Sequence, residues 1–430
     1  MQYNSEYKDL IVRFYYKDGK KAMRTEQDLR TLLNVNISSP FWEEAYKKAL
    51  QQPDEPEWLT EDYIRNLHRE YEIFPENLEV LILAAKKVSQ IRELCLFAKV
   101  LCNIIGLRVR SEEAFQRFEL PKASDDVKDT MAYDCVAIFP ILAHIRSSWK
   151  ELEARGIEES ILRERFSMVD QRLSLFTEKV GRPVWGKGAF MVYGAFVYPG
   201  ELKIGRLRFE WVEHSAYPVK VFVNREGELK LMMDGVTLHA GGHVLGSYGF
   251  TEGEGSYFAE VSESTDAYEG YLVDSETHLA QNFRTMLSKE EWRLAFAPGD
   301  AYIMVHIGSG GGFDAVECEN SFKKAREVFT RCFPEYDFKG FLTNCWMLGP
   351  GLEPALKEGS NIKTFRNYFH IFPERSDAND LFLYVFEKNV RTPGEVDIDA
   401  LQEKTSLQRG VKELLQKGTF IHEFNGFFLW

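Results

Sequence analysis

The sequence predicts an α+β protein, with a helical N-terminal domain over residues 1–180 and a mixed, mostly antiparallel β-sheet domain with flanking helices over 181–430. Up to about Val180 apolar residues recur at helical spacing. From Gly181 onward glycines become frequent and short runs alternate apolar with polar residues, which is the mark of strands. Length agrees, since 430 residues exceed what one compact core accommodates.

In the helical half, Ser39-Pro40 opens a helix carrying Phe41, Trp42, Ala45 and Ala49, and Pro53 to Pro56 ends it. Thr60 starts the next, with Tyr63, Ile64, Leu67 and Tyr71 on one face. Beyond Pro75, apolar residues surround a single run from Leu78 to Ile105, as expected of a central buried helix, and Gly106 closes it. A helix over Val127 to Leu152 follows, with Pro140 expected to kink or split it, and Glu158 to Val180 completes the set.

In the second half, Leu202 to Val212 reads as a strand and Lys220 to Met232 as a hairpin turning at Asn224-Arg225-Glu226-Gly227. Tyr268 to Val273 is another strand. Glu291 to Ile307 reads as a second hairpin around Pro298-Gly299, whose last strand, Tyr302 to Ile307, runs into the glycine turn Gly308-Ser309-Gly310-Gly311-Gly312. A long helix comes next, with Ala315, Cys318, Phe322, Ala325, Phe329 and Cys332 on one face. The remainder reads as a strand (Phe338 to Leu348), a helix (Ser360 to Phe369), a strand (Asp380 to Glu387), a helix (Ser406 to Lys417) and a last strand (Phe420 to Leu429).

Composition bounds the function. An apolar share of 44% and an aromatic share of 14%, with Phe 32 and Tyr 19, supply large aromatic cores. The formal charge of −13 argues against nucleic acid, because neutralising phosphates needs a basic surface. The cysteines, Cys95, Cys102, Cys135, Cys318, Cys332 and Cys345, lack C-x-x-C spacing and read as reduced, buried thiols. No basic stretch followed by an apolar run opens the chain, and no window approaches the roughly eighteen apolar residues of a membrane span. A cytoplasmic protein without membrane contact, monomer or homodimer, is expected.

A strand, a glycine turn and a helix together aim unpaired backbone N–H groups at an anion. Asp314, Glu317 and Glu319 crowd the helix start, where they suit the macrodipole but would repel a phosphate, and Lys323, Lys324 and Arg326 lie far enough along to offset that in part. The same turn also reads as a flexible connection capped by Asp314. His239-Ala-Gly-Gly-His243 suggests a metal pair, but spacing offers no third ligand, so a solvated loop without metal is expected. Cys345, in an apolar strand without a local base, reads as an inert thiol, and Trp346 either lines a pocket or fills the core.

Several blocks carry a resemblance. Gly205-Arg206-Leu207-Arg208-Phe209-Glu210, His306-Ile307 with its glycine turn, Cys345-Trp346-Met347-Leu348, Ser360-Asn361-Ile362 and Ser406-Leu407-Gln408-Arg409 resemble the signature blocks of the bacterial GNAT-like acyltransferase domain family. Proteins of that family pair a helical N-terminal domain with a domain like that of the Gcn5-related N-acetyltransferases (GNAT). The chain departs from the family pattern at Gly308, where proline is usual, and at Cys345, where serine is usual. The GNAT cofactor signature, Gln or Arg then x-x-Gly-x-Gly or Ala, does not precede the helix.

The resemblance implies transfer of an acyl group, acetyl or longer, from coenzyme A to an amine of a small molecule or peptide, without a metal. It implies that Gly308, Ser309, Gly310, Gly311, Gly312 and Phe313 hold the pyrophosphate and that Tyr368 protonates the departing thiolate. His306 or Glu210 would receive the amine proton. Each residue also has a structural reading: Tyr368 as packing, His306 bonding a carbonyl, Glu210 pairing with Arg206 or Arg208. A non-catalytic relative holding a small ligand or protein between its domains is the alternative.

Overall fold

The computed structural model describes residues 16–17, 20–21, 25–109, 111–194, 200–251, 253–308, 314–390 and 392–430. The chain divides into two compact units, Met1–Glu201 and Leu202–Trp430, so the division falls later than the composition change at Gly181.

The first unit contains α1 (Glu26–Leu33), α2 (Trp42–Leu50), α3 (Glu61–Tyr71), α4 (Leu78–Ser89), α5 (Arg92–Ile105), α6 (Ser111–Ala114), α7 (Met131–Cys135), α8 (Phe139–Ala154), α9 (Glu159–Val180) and α10 (Lys187–Gly194). Thr60 caps α3 by accepting from the Tyr63 backbone, and Gly181 ends α9 in the left-handed region (φ 78°). The run expected as one helix from Leu78 to Ile105 is two, because Ile91 is extended between them. Its all-round apolar pattern belongs mostly to α5, which is enclosed along nearly its whole length and packs on α2, α4 and α8. Pro140 splits the next expected helix. It stands in the first turn of α8, after a 3-10 turn over Val136–Ile138, where a missing N–H costs nothing. The carboxylate of Asp170 accepts from the Asn77 backbone at 3.1 Å and from Asn77 Nδ2 at 2.8 Å, which ties the start of α4 to α9.

The second unit is built on β1 (Glu201–Ile204), β2 (Leu207–Val212), β3 (Val219–Val223), β4 (Leu229–Met233), β5 (Ala267–Leu272), β6 (Thr285–Ser288), β7 (Arg293–Phe296), β8 (Tyr302–Ile307), β9 (Gly340–Cys345), β10 (His370–Pro373) and β11 (Phe424–Leu429). One sheet has the order β10-β11-β9-β8-β2-β1 and the other β6-β5-β4-β3-β7. In the first sheet β8 and β9 run parallel, whereas β2 with β8, β9 with β11 and β10 with β11 are antiparallel.

Its helices are α11 (Ala315–Cys332), α12 (Asn361–Arg366), α13 (Asp380–Phe386) and α14 (Ser406–Gln416). The apolar face of α11 lies on one side of the first sheet, where Phe322 meets Phe209, Phe341 and Phe428 with ring centroids 5.0–5.9 Å apart. On the other side, Tyr302, Leu342, Phe372 and Phe427 pack against Val221, Leu231, Met233 and Phe296 of the second sheet.

Several expectations change. The run Leu202 to Val212 is two strands turning at Gly205-Arg206. Glu291 to Ile307 is not a hairpin, since β7 pairs with β3 and β8 with β2 and β9, in different sheets. The Pro298-Gly299 corner is held to the loop at Ser215, whose carbonyl accepts from Gly299 N and whose N–H donates to Asp300 O, and this carries the chain from one sheet to the other. Phe338 to Leu348 is β9 followed by a 3-10 turn, Trp346–Leu348, and the last strand begins at Phe424.

The helix expected over Ser360 to Phe369 is the shorter α12, capped by Ser360, and the strand β10 begins at His370. Asp380 to Glu387, expected as a strand, is α13. Leu381, Phe382, Val385 and Phe386 share one face and join the core around Trp346, Leu352 and Leu414, while Leu383 and Tyr384 face outward. β-favouring side chains there are overridden by that 3–4 spacing.

Candidate active site

The parallel pair β8–β9 is short. Its ladder joins Ile303 to Phe341 and Met304 to Leu342 and goes no further. One residue on, the buried Thr343 hydroxyl donates to Val305 O at 2.9 Å, so a side chain bridges the strands where backbone pairing ends. Polar groups gather around this break on both sides of the sheet.

On the side facing the second sheet, Glu210 of β2 stands opposite Met304, and His306 is two residues further along β8. His306 Nε2 lies 3.0 Å from Glu210 Oε2, with both side chains about one-third exposed. The two base candidates are therefore one hydrogen-bonded pair. Tyr217 lies nearby with its hydroxyl on Met304 Sδ, and burial pushes its pKa well above that of an ordinary phenol, with Tyr302, Glu374 and Glu210 adding to it. Asn344, Asn425 and Glu374 continue the polar row across β9, β11 and the end of β10.

On the α11 side, Tyr368 follows α12 with its ring 5.3 Å from Phe322 and its hydroxyl 3.5 Å from Ala315 O, in the first turn of α11. Burial first, then Glu319 and Cys318, raise its pKa, which keeps the phenol protonated. Of the glycine turn only Gly308 is described; Ser309, Gly310, Gly311, Gly312 and Phe313 lie outside the described residues. Asp314 caps α11, its Oδ1 accepting from Val316 N at 2.9 Å and Glu317 N at 3.1 Å.

Arg206 is a residue that sequence reasoning placed only as a partner of Glu210. Gly205, at φ 61°, lets the β1–β2 turn approach α11 so closely that a Cβ would stand 2.7 Å from Ser321 Oγ. Arg206 N donates to that hydroxyl at 2.9 Å, and Arg206 Nη1 donates to Gly308 O at 2.8 Å. A fixed cation therefore stands at the entrance to the glycine turn. The available signal was the Gly-Arg pair between two strands.

The other candidates resolve as structure. Burial pushes the Cys345 thiol up to about 12, so it stays protonated. Trp346 is in the core with Leu352 and Leu356. The His239–His243 segment is not a simple solvated loop: His243 stacks on Phe250 at 3.8 Å and lies 5.2 Å from His422. Among the described residues no group of three or more His, Cys, Asp or Glu could hold a metal ion, and no described helix is long and apolar enough to cross a membrane.

Residues 202–428 match the profile of the GNAT-like C-terminal domain, and the chain belongs to that family. Solved structures with the same fold include an acyltransferase mutant in complex with octanoyl-CoA (16% identity, TM-score 0.60), an acyltransferase in complex with CoA and 10C-teicoplanin (17%, 0.60) and an acyltransferase in complex with decanoyl-CoA (15%, 0.61). Each likeness covers 94% of this chain and 99% of the other. No curated protein matches the sequence.

Proposed function

We propose that the chain transfers an acyl group from an acyl-coenzyme A to an amine. The observation that carries this reading is the two-sided arrangement about the end of the β8–β9 ladder. The Glu210–His306 pair is on one side of the sheet, and Tyr368 is on the other, beside the start of α11. Similar acyltransferases bind octanoyl-CoA, decanoyl-CoA, and CoA with a teicoplanin, which supports a fatty acyl donor and a small-molecule or peptide acceptor.

In this reading Arg206 and the backbone N–H groups of Ser309 to Phe313 hold the pyrophosphate, and the thioester carbonyl enters the break beside Thr343. The amine lone pair forms the C–N bond as the C–S bond breaks. The Glu210–His306 pair takes the proton that leaves nitrogen, and Tyr368 gives its proton to the departing thiolate. The six free cysteines suit a reducing compartment, and the cytoplasm is our proposed location.

Isothermal titration with acetyl-, octanoyl- and decanoyl-CoA tests the reading. Binding is expected, with Arg206→Ala weakening it about tenfold through loss of a charge-assisted contact. No binding of any of the three at millimolar ligand would overturn it.

A further inference from the structure

The polar row on the acceptor side has a direction, fixed by its last member. Glu374 carries a carboxylate, which only accepts hydrogen bonds, so the 2.5 Å contact from Asn425 Nδ2 obliges Asn425 to turn its NH2 toward Glu374. Asn425 Oδ1 then faces Asn344, whose Nδ2 donates to it at 2.9 Å. Asn425 is fully buried (0% exposed), so a reversed amide would set acceptor against acceptor at Glu374 without water to relieve it. Asn344 is left presenting its carbonyl oxygen, to which no described residue donates. The other oxygen of Glu374 accepts from Arg375 N at 3.0 Å, and no cation among the described residues pairs with it.

Asn344 belongs to the acceptor side. Met304 pairs with Leu342, and two residues on along each strand His306 and Asn344 point to the same face, one on each side of the break. We infer that Glu374 is a positioning residue: through Asn425 it holds Asn344 with its oxygen toward the break, where that oxygen accepts one N–H of the attacking amine while the Glu210–His306 pair takes the other proton.

This rests on the acyl-transfer reading and is read out by the class of amine, because an amine that satisfies both groups has two N–H bonds. Secondary amines leave either the base pair or the Asn344 oxygen without a hydrogen.

The test measures kcat/KM with decanoyl-CoA for benzylamine and N-methylbenzylamine. In Glu374→Gln the end of the row can both donate and accept, so the direction is lost. Benzylamine turnover should fall about tenfold, chiefly through KM for the amine, and N-methylbenzylamine turnover much less. The double variant Asn344→Asp with Glu374→Gln reverses the row: the introduced glutamine amide donates to Asn425, and Asn425 donates to the new carboxylate, which again offers an oxygen to the amine. Primary-amine turnover should recover. Equal losses for both amines, or no recovery, would reduce Glu374 to a brace for β10.

If neither amine is acylated by the wild-type chain, the transfer reading fails for these acceptors, and the row itself is decided separately. With 15N-asparagine labelling, the Asn425 and Asn344 side-chain NH2 signals should shift in Glu374→Gln. Unmoved signals would overturn the relay.

Discussion

His243→Phe should remove a measurable part of the acid sensitivity of the second unit. The imidazole stacks on Phe250 and is 5.2 Å from His422. Burial, followed by the charges of His422 and His239, pulls its pKa down to about 4 from an ordinary 6.5. The folded form thus refuses a proton that the unfolded chain accepts between those values. The associated stability is fully present above pH 6.5, declines progressively as pH falls below it, and is wholly lost once pH has fallen through 4. That difference corresponds to about 3 kcal/mol in all, of which about 2 kcal/mol is lost between pH 7 and pH 5. Phenylalanine keeps the stack and carries no titrating group. Urea unfolding of both proteins at pH 7 and pH 5 should show the variant losing about 2 kcal/mol less than the wild type over that interval. His144, His278 and His370, also held low mainly by burial, contribute equally to both proteins and cancel. Equal losses in the two proteins would refute the assignment, as would an Nε2–H signal showing His243 titrating near 6.5 in the folded state.

Tyr368→Phe loses only a long contact to Ala315 O, so unfolding should move by less than about 0.5 kcal/mol while amine acylation slows roughly tenfold to a hundredfold; unchanged turnover would take Tyr368 out of the chemistry. Gly340→Ala puts a Cβ 2.5 Å from both Phe427 Cζ and Phe428 O, which β9 and β11 can relieve only by moving apart. A loss of about 2–4 kcal/mol is expected by thermal melting, and an unchanged midpoint would mean that the strands are less closely seated than the geometry requires.

What the sequence disclosed followed the range over which its signals act. The periodicity of Cys318, Phe322, Ala325, Phe329 and Cys332 is local, and all five are buried in α11. The Lys220 to Met232 hairpin was equally legible, because its turn residues are contiguous. Pairing across long separations was not. Glu291 to Ile307 looked like a hairpin because two strands and a Pro-Gly corner satisfy every local rule, and nothing local says that β7 and β8 belong to different sheets. His306 and Glu210 were separate candidates since they stand 96 positions apart in the chain, and only the β2–β8 register makes them partners. The Asn344–Asn425–Glu374 row had no sequence signal at all. It exists because three strands remote in the chain lie side by side.

The acidic start of α11 is where sequence and structure bear most directly on one another. Asp314, Glu317 and Glu319 argued against an anion at the glycine turn, with Lys323, Lys324 and Arg326 as the compensation. The charges are disposed otherwise. Asp314 spends its carboxylate on two backbone donors of its own helix, and Glu319 is paired with Lys323 at 2.6 Å. Arg326 reaches Leu429 O and lies over the Phe341 and Trp430 rings, so it serves the sheet. Among the described residues a cation that reaches Gly308 is Arg206, brought from another hairpin by a glycine that allows the backbone to touch Ser321. An anion bound there would meet a guanidinium already anchored on Gly308 O, and the first helical donors, Val316 N and Glu317 N, would stay with Asp314. On the acyl-transfer proposal Arg206→Ala should weaken acyl-coenzyme A binding more than Lys323→Ala does, an order that titration of the two variants can reverse.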